Sequence, residues 1–328
     1  MSEWFRDKRI LVTGATGLIG SAVVDELLRM NASKNQGLSV VVAGRSRARL
    51  EKRFARRDAL EFADYDALQP LRVKEGVDVI IHAASPASPD LFVGKPVETM
   101  LANVNGINEI LKYAVAHPAV KIVYVSSSEI YGKAQPRENG FREEDSGFVD
   151  ILSPRSSYPM GKRAAETLCA SYAAEYGVDV SIVRPGHIYG PTATENDRRV
   201  SSLWPRMAAR GETIVMKSAG TQVRSYTYCV DCATAILTVC EKGEKGEAYN
   251  IANPNSACSI RRLAELIADA GGVDLRVEVP TDAERTAFNP MDNSKLDASK
   301  LVALGWRAEY DIERGVRETI DQLRRGLP

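Results

Sequence analysis

The chain has 328 residues, of which 44% are hydrophobic and 26% charged, enough apolar material for a large core and more length than one ordinary domain uses. Its 43 Lys+Arg balance 43 Asp+Glu, so no basic field is available to hold nucleic acid and no acidic tail is present. No run of about 18 apolar residues marks a membrane span.

Residues 1–9 mix both charges ahead of a strand and do not read as a leader, so a cytoplasmic protein is expected. The apolar run Ile10-Leu11-Val12 then empties into Thr13-Gly14-Ala15-Thr16-Gly17-Leu18-Ile19-Gly20. A buried strand, a glycine-spaced turn and an amphipathic helix (Leu18, Val23, Leu27, Leu28) together make the seat of a dinucleotide pyrophosphate. Glycines let the backbone turn tightly and approach the phosphates, which then face free N–H groups at the positive end of the helix. The spacing is G-x-x-G-x-x-G, a variant of the commoner G-x-G-x-x-G.

Further β-branched runs follow at Ser39–Ala43, Val77–His82, Lys121–Val125 and Asp179–Val183, with helical patterns over 46–57, 97–116 and 159–176. This alternation predicts an α/β fold, a doubly wound parallel Rossmann sheet with functional residues at the carboxyl ends of its strands. Beyond Arg184-Pro185 the rhythm breaks. Residues 186–199 read as loop, followed by a helix near 201–210, a strand Val223–Tyr228, a helix near 230–242 and Tyr249–Ile251. A helix near 259–270, Leu275–Val279 and a closing helix near 312–325 complete the chain. The expected organisation is a dinucleotide-binding domain over 1–185, to which about 221–255 return, interleaved with a smaller α/β substrate lobe made of 186–220 and 256–328.

Two strand-end segments carry chemistry. In Tyr158-Pro-Met-Gly-Lys162 the proline suits the first turn of a helix, which places Tyr158 at its entrance and Lys162 one turn along on the same side. An ammonium beside a phenol favours phenolate, and lowering a tyrosine from about 10 to about 7 takes roughly 4 kcal/mol. Such a pair is a base for an alcohol proton. Ser126-Ser127-Ser128-Glu129-Ile-Tyr-Gly132, at the end of Lys121–Val125, supplies hydroxyls that hold a substrate oxygen. The five cysteines, including Cys229-Val-Asp-Cys232, lack zinc-ribbon spacing and read as small buried residues, and the three scattered histidines imply no metal.

These motifs, in this order, resemble those of the extended short-chain dehydrogenase/reductases of the NAD-dependent epimerase/dehydratase family, which act on nucleotide sugars. Within it, His82-Ala-Ala-Ser-Pro-Ala-Ser-Pro89, Ser127–Gly132, Gly161–Thr167, Arg199–Ser202 and Gln222–Arg224 are most similar to UDP-glucuronate decarboxylases. The resemblance implies that Gly14, Thr16, Gly17, Leu18, Ile19, Gly20, Ala83 and Ala84 bind the cofactor. It further implies that Ser85, Ser127, His187, Arg199 and Arg224 meet a UDP-sugar. Tyr158 would be the base, Lys162 would bind the nicotinamide ribose and tune Tyr158, and Ser128, Glu129 and Arg224 would serve decarboxylation. A homodimer is implied, paired through the helices near 97–116 and 159–176, with Ala164, Ala165, Leu168 and Tyr172 allowing close approach.

Two positions depart from the family pattern. Where NAD-using relatives carry an acid for the adenosine ribose, this chain has Gly44 followed by Arg45, so NAD and NADP both stay open. His187 replaces the asparagine that usually meets the substrate phosphate. A 4-epimerase, an NADPH-dependent 4-keto-sugar reductase and a cofactor-binding sensor without turnover are the alternatives to a decarboxylase.

Overall fold

A computed structural model of the chain describes residues 3–34, 36–54, 60–86, 88–281 and 291–326. Residues 55–57 of the helix expected over 46–57, Ala87 of the 82–89 segment, and the extreme ends of the two expected domains lie outside the described residues.

The first half alternates as its pattern predicts: β1 (Arg9–Thr13), α1 (Leu18–Lys34), β2 (Ser39–Gly44), α2 (Arg47–Phe54), β3 (Leu60–Asp64), β4 (Val79–His82), α3 (Pro89–Gly94), α4 (Pro96–Ala116), β5 (Lys121–Val125), α5 (Ser157–Tyr176) and β6 (Asp179–Pro185). The second half comprises β7 (His187–Tyr189), α6 (Val200–Ala209), β8 (Ile214–Met216), β9 (Val223–Tyr228), α7 (Cys229–Lys242), β10 (Ala248–Ile251), β11 (Ala257–Ser259), α8 (Ile260–Gly271), β12 (Leu275–Val277), β13 (Asn293–Ser294) and the helices Ser299–Ala303 and Ile312–Arg324.

Seven strands form one sheet in the order β10-β6-β5-β4-β1-β2-β3, every pair parallel. Strand side chains alternate between two cores, as the two-residue period requires. Ile10, Val12, Val40, Val42, Val79 and Ile81 point to the face covered by α1 and α7. Leu11, Val41, Ile80, Ile122 and Tyr124 point to the face covered by α4 and α5, where they meet Ile107, Ile110, Leu111 and Ala165. Burying each such aliphatic side chain contributes about 1.5–3 kcal/mol. The chain runs outward from β1 to β3 and returns to β4 on the other side of β1. That reversal opens a crevice at the carboxyl ends of β1 and β4.

One expected element goes elsewhere. Val223–Tyr228, expected to return to the large sheet, is instead the centre of a small one, paired with β7, β11 and β13, while only α7 and β10 return. The physical reason is occupancy: β10 takes the free edge of β6, leaving β9 no place there. The stretch 186–199, read as loop, contains β7. Ala165, expected on the outward face of α5, is buried in the sheet-side core, and only Ala164, Leu168 and Tyr172 of that set are partly exposed. Among the described residues no helix is long and apolar enough to cross a membrane.

Candidate active site

The β1–α1 turn is built around glycines that do different work. Gly14 has φ +68°, and a Cβ there would lie 2.7 Å from the backbone of Ala83 and Ala84; one at Gly20 would lie 2.3 Å from Gly14 O. These two positions are fixed by packing of the turn on the end of β4, where Ala83 N and Ala84 N donate to Thr13 O and Oγ1 at 3.3 and 3.4 Å. At Gly17 a Cβ would meet only Gly14 O, at 3.3 Å, so its outer side is open to a close-lying group. Thr16 and Ile19 are half-buried beside it, Leu18 is buried, and the first turn of α1 holds no acid. An open, glycine-lined helix N-terminus of this kind fits a pyrophosphate.

The adenosine end of such a cofactor would lie at the end of β2. Arg45 is exposed and makes no hydrogen bond or ion pair among the described residues, whereas its neighbour Arg47 is spent on Glu51 at 2.8 Å and on the Phe62 ring. The expectation that this edge lacks a carboxylate holds for β2 alone. Gly44 pairs with Asp64 at the end of β3, one strand spacing (about 4.8 Å) away, and Asp64 is exposed. That acid was invisible in sequence because β3 itself was not recognised.

The reacting groups gather where β5 ends. Ser127 is extended (φ −163°, ψ 151°), and its Oγ accepts from Glu129 N at 3.2 Å, capping a 3-10 turn over Ser128–Tyr131 that buries the Ser128 side chain. Helix α5 begins at Ser157, so Tyr158 enters on its first turn, hydrogen-bonded to Ser127 and stacked on Phe92 at 4.2 Å with an interplanar angle of 11°. Lys162, one turn further, is buried; its Nζ donates to Val125 O at 2.8 Å and sits 5.9 Å from the Tyr158 ring centroid. Ser85 donates to Asn103 Oδ1 at 2.8 Å, and Asn103 lies against Gly161 of α5.

The electrostatics differ from the simple sequence picture. Burial pushes the Tyr158 phenol up to about 12, and the Glu129 carboxylate adds to the rise; the Ser127 hydrogen bond, Arg199 and Arg155 oppose it. Burial also draws the Lys162 ammonium down to about 7, against the pull of Glu166 and Cys169. The expected lowering of Tyr158 by Lys162 is therefore not what the chain's own groups produce, because both side chains are taken out of water together.

A second cluster faces this one from β7, β9 and the segment before α6. Arg199 grips Asp197 with Nε at 3.0 Å and NH2 at 2.6 Å. Arg224 is buried, and its acceptors are backbone carbonyls, Met291 O at 2.7 Å, Val223 O at 2.9 Å and Asp292 O at 3.3 Å. His187 lies edge-on to Tyr226 with a buried Nδ1 that has no partner among the described residues. Burial, with help from Arg224 and Arg199, lowers it to about 3, so it is neutral. A buried guanidinium with no carboxylate bonded to it among the described residues fits an anionic substrate group. The structure thus brings Ser127, Glu129, Tyr158 and Arg199 into mutual electrostatic range and sets Arg224 near Glu129.

Sequence reading missed Arg155, Phe92 and Asp197. Arg155 binds both oxygens of Glu129, at 2.9 and 3.1 Å, across 26 residues of chain. The only local signal was Ser153-Pro154, which opens the 3-10 turn that holds it. Cys229 and Cys232 are buried free thiols on α7, as their bland reading expects.

Residues 10–252 match the model of the NAD dependent epimerase/dehydratase family. UDP-glucuronic acid decarboxylase 6 of Arabidopsis thaliana is 33% identical, the match covering 100% of this chain and 93% of that protein. Among solved structures, UDP-glucose 4-epimerase of Thermotoga maritima, with UDP-glucose, aligns with a TM-score of 0.81 at 24% identity over 98% and 100% of the two chains. The dTDP-glucose 4,6-dehydratase DesIV of Streptomyces venezuelae, with NAD bound, aligns with a TM-score of 0.81 at 25% identity over 97% of each chain.

The buried lysine has a measurable cost. Its folded pKa is depressed, so between about 7 and its unfolded value near 10.5 the unfolded chain holds the extra proton, and stability from this group rises with pH across that window. Lys162→Met is expected to raise the melting temperature at pH 6, by a stability gain on the order of a few kcal/mol, and to lose that advantage by pH 10. Thermal melts at the two pH values check it; an equal shift at both pH values contradicts the assignment.

Proposed function

Because the chain belongs to the NAD dependent epimerase/dehydratase family, we propose that it is an NAD(P)-dependent nucleotide-sugar enzyme working through sugar C4, with UDP-glucuronate decarboxylation as its reaction. The convergence of Ser127, Glu129 and Tyr158 at the end of β5, opposite a buried Arg224 that bonds no carboxylate among the described residues, carries this reading. The 33% identity to a UDP-glucuronic acid decarboxylase over the whole chain supports the choice of reaction.

Gly14, Thr16, Gly17, Leu18, Ile19, Gly20, Ala83 and Ala84 would hold the cofactor's pyrophosphate side, and Lys162 its nicotinamide ribose. When bound, the nicotinamide supplies a hydride acceptor and later a donor for C4, and its oxidised ring is positively charged. Tyr158 takes the C4 hydroxyl proton while Ser127 holds that oxygen. Burial holds the phenol above its ordinary range in the chain alone, and a positive charge placed beside it would favour the phenolate. Once C4 is a ketone, the C5–carboxylate bond breaks with loss of carbon dioxide, its electron pair passing to the C4 carbonyl. C5 then takes up a proton, and the ketone is reduced back to an alcohol, giving a pentose. Glu129 and Ser128 flank this step, and Arg224, His187 and Arg199 hold the diphosphate.

A reductase consuming NADPH is the second reading, favoured by the unpaired Arg45. A 4-epimerase differs only in the face that receives the returning hydride. In the proposed organisation the substrate lobe comprises 186–220 and 256–328, with β9 added to it, and the protein is a cytoplasmic homodimer. The outward side of α4, where Val97 and Leu101 are exposed, together with Ala164, Leu168 and Tyr172 of α5, forms the pairing face. A monomer by light scattering at micromolar concentration overturns the dimer.

Mass spectrometry of products from UDP-, dTDP-, CDP- and GDP-sugars tests the reaction, with a UDP-pentose expected from UDP-glucuronate. Tyr158→Phe is expected to cut turnover on the order of a hundredfold to ten-thousandfold while leaving cofactor affinity nearly unchanged; near-normal turnover removes Tyr158 as the base. Arg45→Ala is expected to weaken NADP binding by about 1.5–3 kcal/mol and to leave NAD binding unchanged. Calorimetric titration of both proteins with both oxidised cofactors decides it. A tenfold preference for NAD that the substitution does not move makes Arg45 a helix-start residue and favours the decarboxylase or epimerase.

A further inference from the structure

Arg155 lies outside every motif that marked the site, yet it touches two of the site's members at once. It sits three residues before Tyr158, in the 3-10 turn Pro154–Ser156. Its two terminal nitrogens hold the two oxygens of Glu129 at 2.9 and 3.1 Å, and both side chains are largely buried, 13% and 19% exposed. Its guanidinium carbon lies 5.0 Å from the centroid of Phe92, the ring that is stacked on Tyr158. A planar fork that matches a carboxylate and also packs on an aromatic ring is chemistry a lysine does not reproduce.

We propose that Arg155 is a positioning residue for the base: its two-point grip on Glu129 and its support of the Phe92 ring let an acid stand beside Tyr158 without disabling it. This rests on the reading of Tyr158 as the base and extends it to a residue no motif identifies. The groups that face the phenol are Glu129 from the turn after β5, Ser127 beside it, Arg155 from the turn before α5, Arg199 from the segment before α6, and Lys162 on α5 itself. Among them Glu129 alone opposes phenolate, and Arg155 is the cation bonded to it. A clip for the loop between residues 129 and 155 would make the same contact.

The two roles part in the ionisation of Tyr158. With a fluorotyrosine in its place, phenolate absorbance can be followed in the full-length protein with oxidised cofactor present. Removing the cation leaves the Glu129 charge uncompensated, so Arg155→Met should raise the midpoint by about one pH unit, a tenfold loss of phenolate at fixed pH. Adding Glu129→Gln should return the midpoint to within a few tenths of its starting value, and Arg155→Lys should fall between. A midpoint that Arg155→Met leaves in place, or that the double variant fails to restore, makes the pair a loop clip and overturns the proposal. If Arg155→Met loses the circular dichroism spectrum of the parent, Glu129→Gln alone replaces it and must lower the midpoint; no change overturns the proposal equally. Lack of turnover on every nucleotide sugar would remove the proposed reaction while leaving this titration to stand by itself.

Discussion

The site depends on a buried ion pair that no part of the chemistry uses directly. Glu166, one turn beyond Lys162 on α5, accepts from Arg184 Nε at 3.1 Å and NH2 at 2.6 Å, and also from the Ser126 hydroxyl. Arg184 comes from β6 and reaches on to the Tyr131 hydroxyl at 3.1 Å and Glu143 O at 2.6 Å. Tyr131 in turn donates to Asn250 on β10 at 2.6 Å. One carboxylate therefore ties the helix that bears Tyr158 and Lys162 to the strand end that bears Ser127. Breaking such a pair from one side costs about 3–5 kcal/mol, because a buried charge is left behind. The register of α5 against β5 is held by that penalty as well as by apolar packing, which would tolerate small slides.

Around this frame the charges are arranged in graded fashion. Arg184 is paired with Glu166, Arg199 with Asp197 and Arg155 with Glu129, while among the described residues Arg224 is bonded only to carbonyls. Desolvation weighs on all of them, and the least compensated cation is the one best placed to gain from an incoming anion. Lys162 follows the same logic. A lysine that donates to Val125 O and otherwise lies over the Tyr124 ring, with its ammonium drawn down to about 7, gains more from a new oxygen partner than one already paired with a carboxylate.

How much of this was legible in the sequence varies with the physics of each part. The central strands were clear because Val and Ile runs buried on both faces leave a mark in composition. β3, Leu-Glu-Phe-Ala-Asp, is a half-exposed edge strand without a β-branched residue, and it left none. β9 was recognised as a strand, but its neighbours were not, since pairing depends on which edges the rest of the chain has already taken. The glycine turn and the Tyr158–Lys162 pair could be proposed as candidates because each spacing is fixed within one turn or one helix, while Ser127 joined them only through its place at the end of β5. Arg155 and Glu129 were not readable as a pair: 26 residues separate them, and only the folded loop makes them neighbours. The direction of the Tyr158 pKa was equally out of reach, because burial is a property of the tertiary structure.

The return of α7 and β10 to the large sheet bears on how the protein is made. Until β10 arrives, β6 is a bare parallel edge, and until α7 arrives, the apolar face beside α1 lacks Cys232, Ile236, Leu237 and Val239. An N-terminal fragment ending at residue 185 would expose both, the edge and the face that invite association between chains. On the ribosome the dinucleotide-binding sheet therefore closes only after most of the polypeptide has emerged. The intervening stretch, with α6 and β9, must be looped out and waiting when it does. The same threading means that no single cut separates the large sheet from the small one with both complete, so an enzyme with this connectivity acquires and loses the two sheets together.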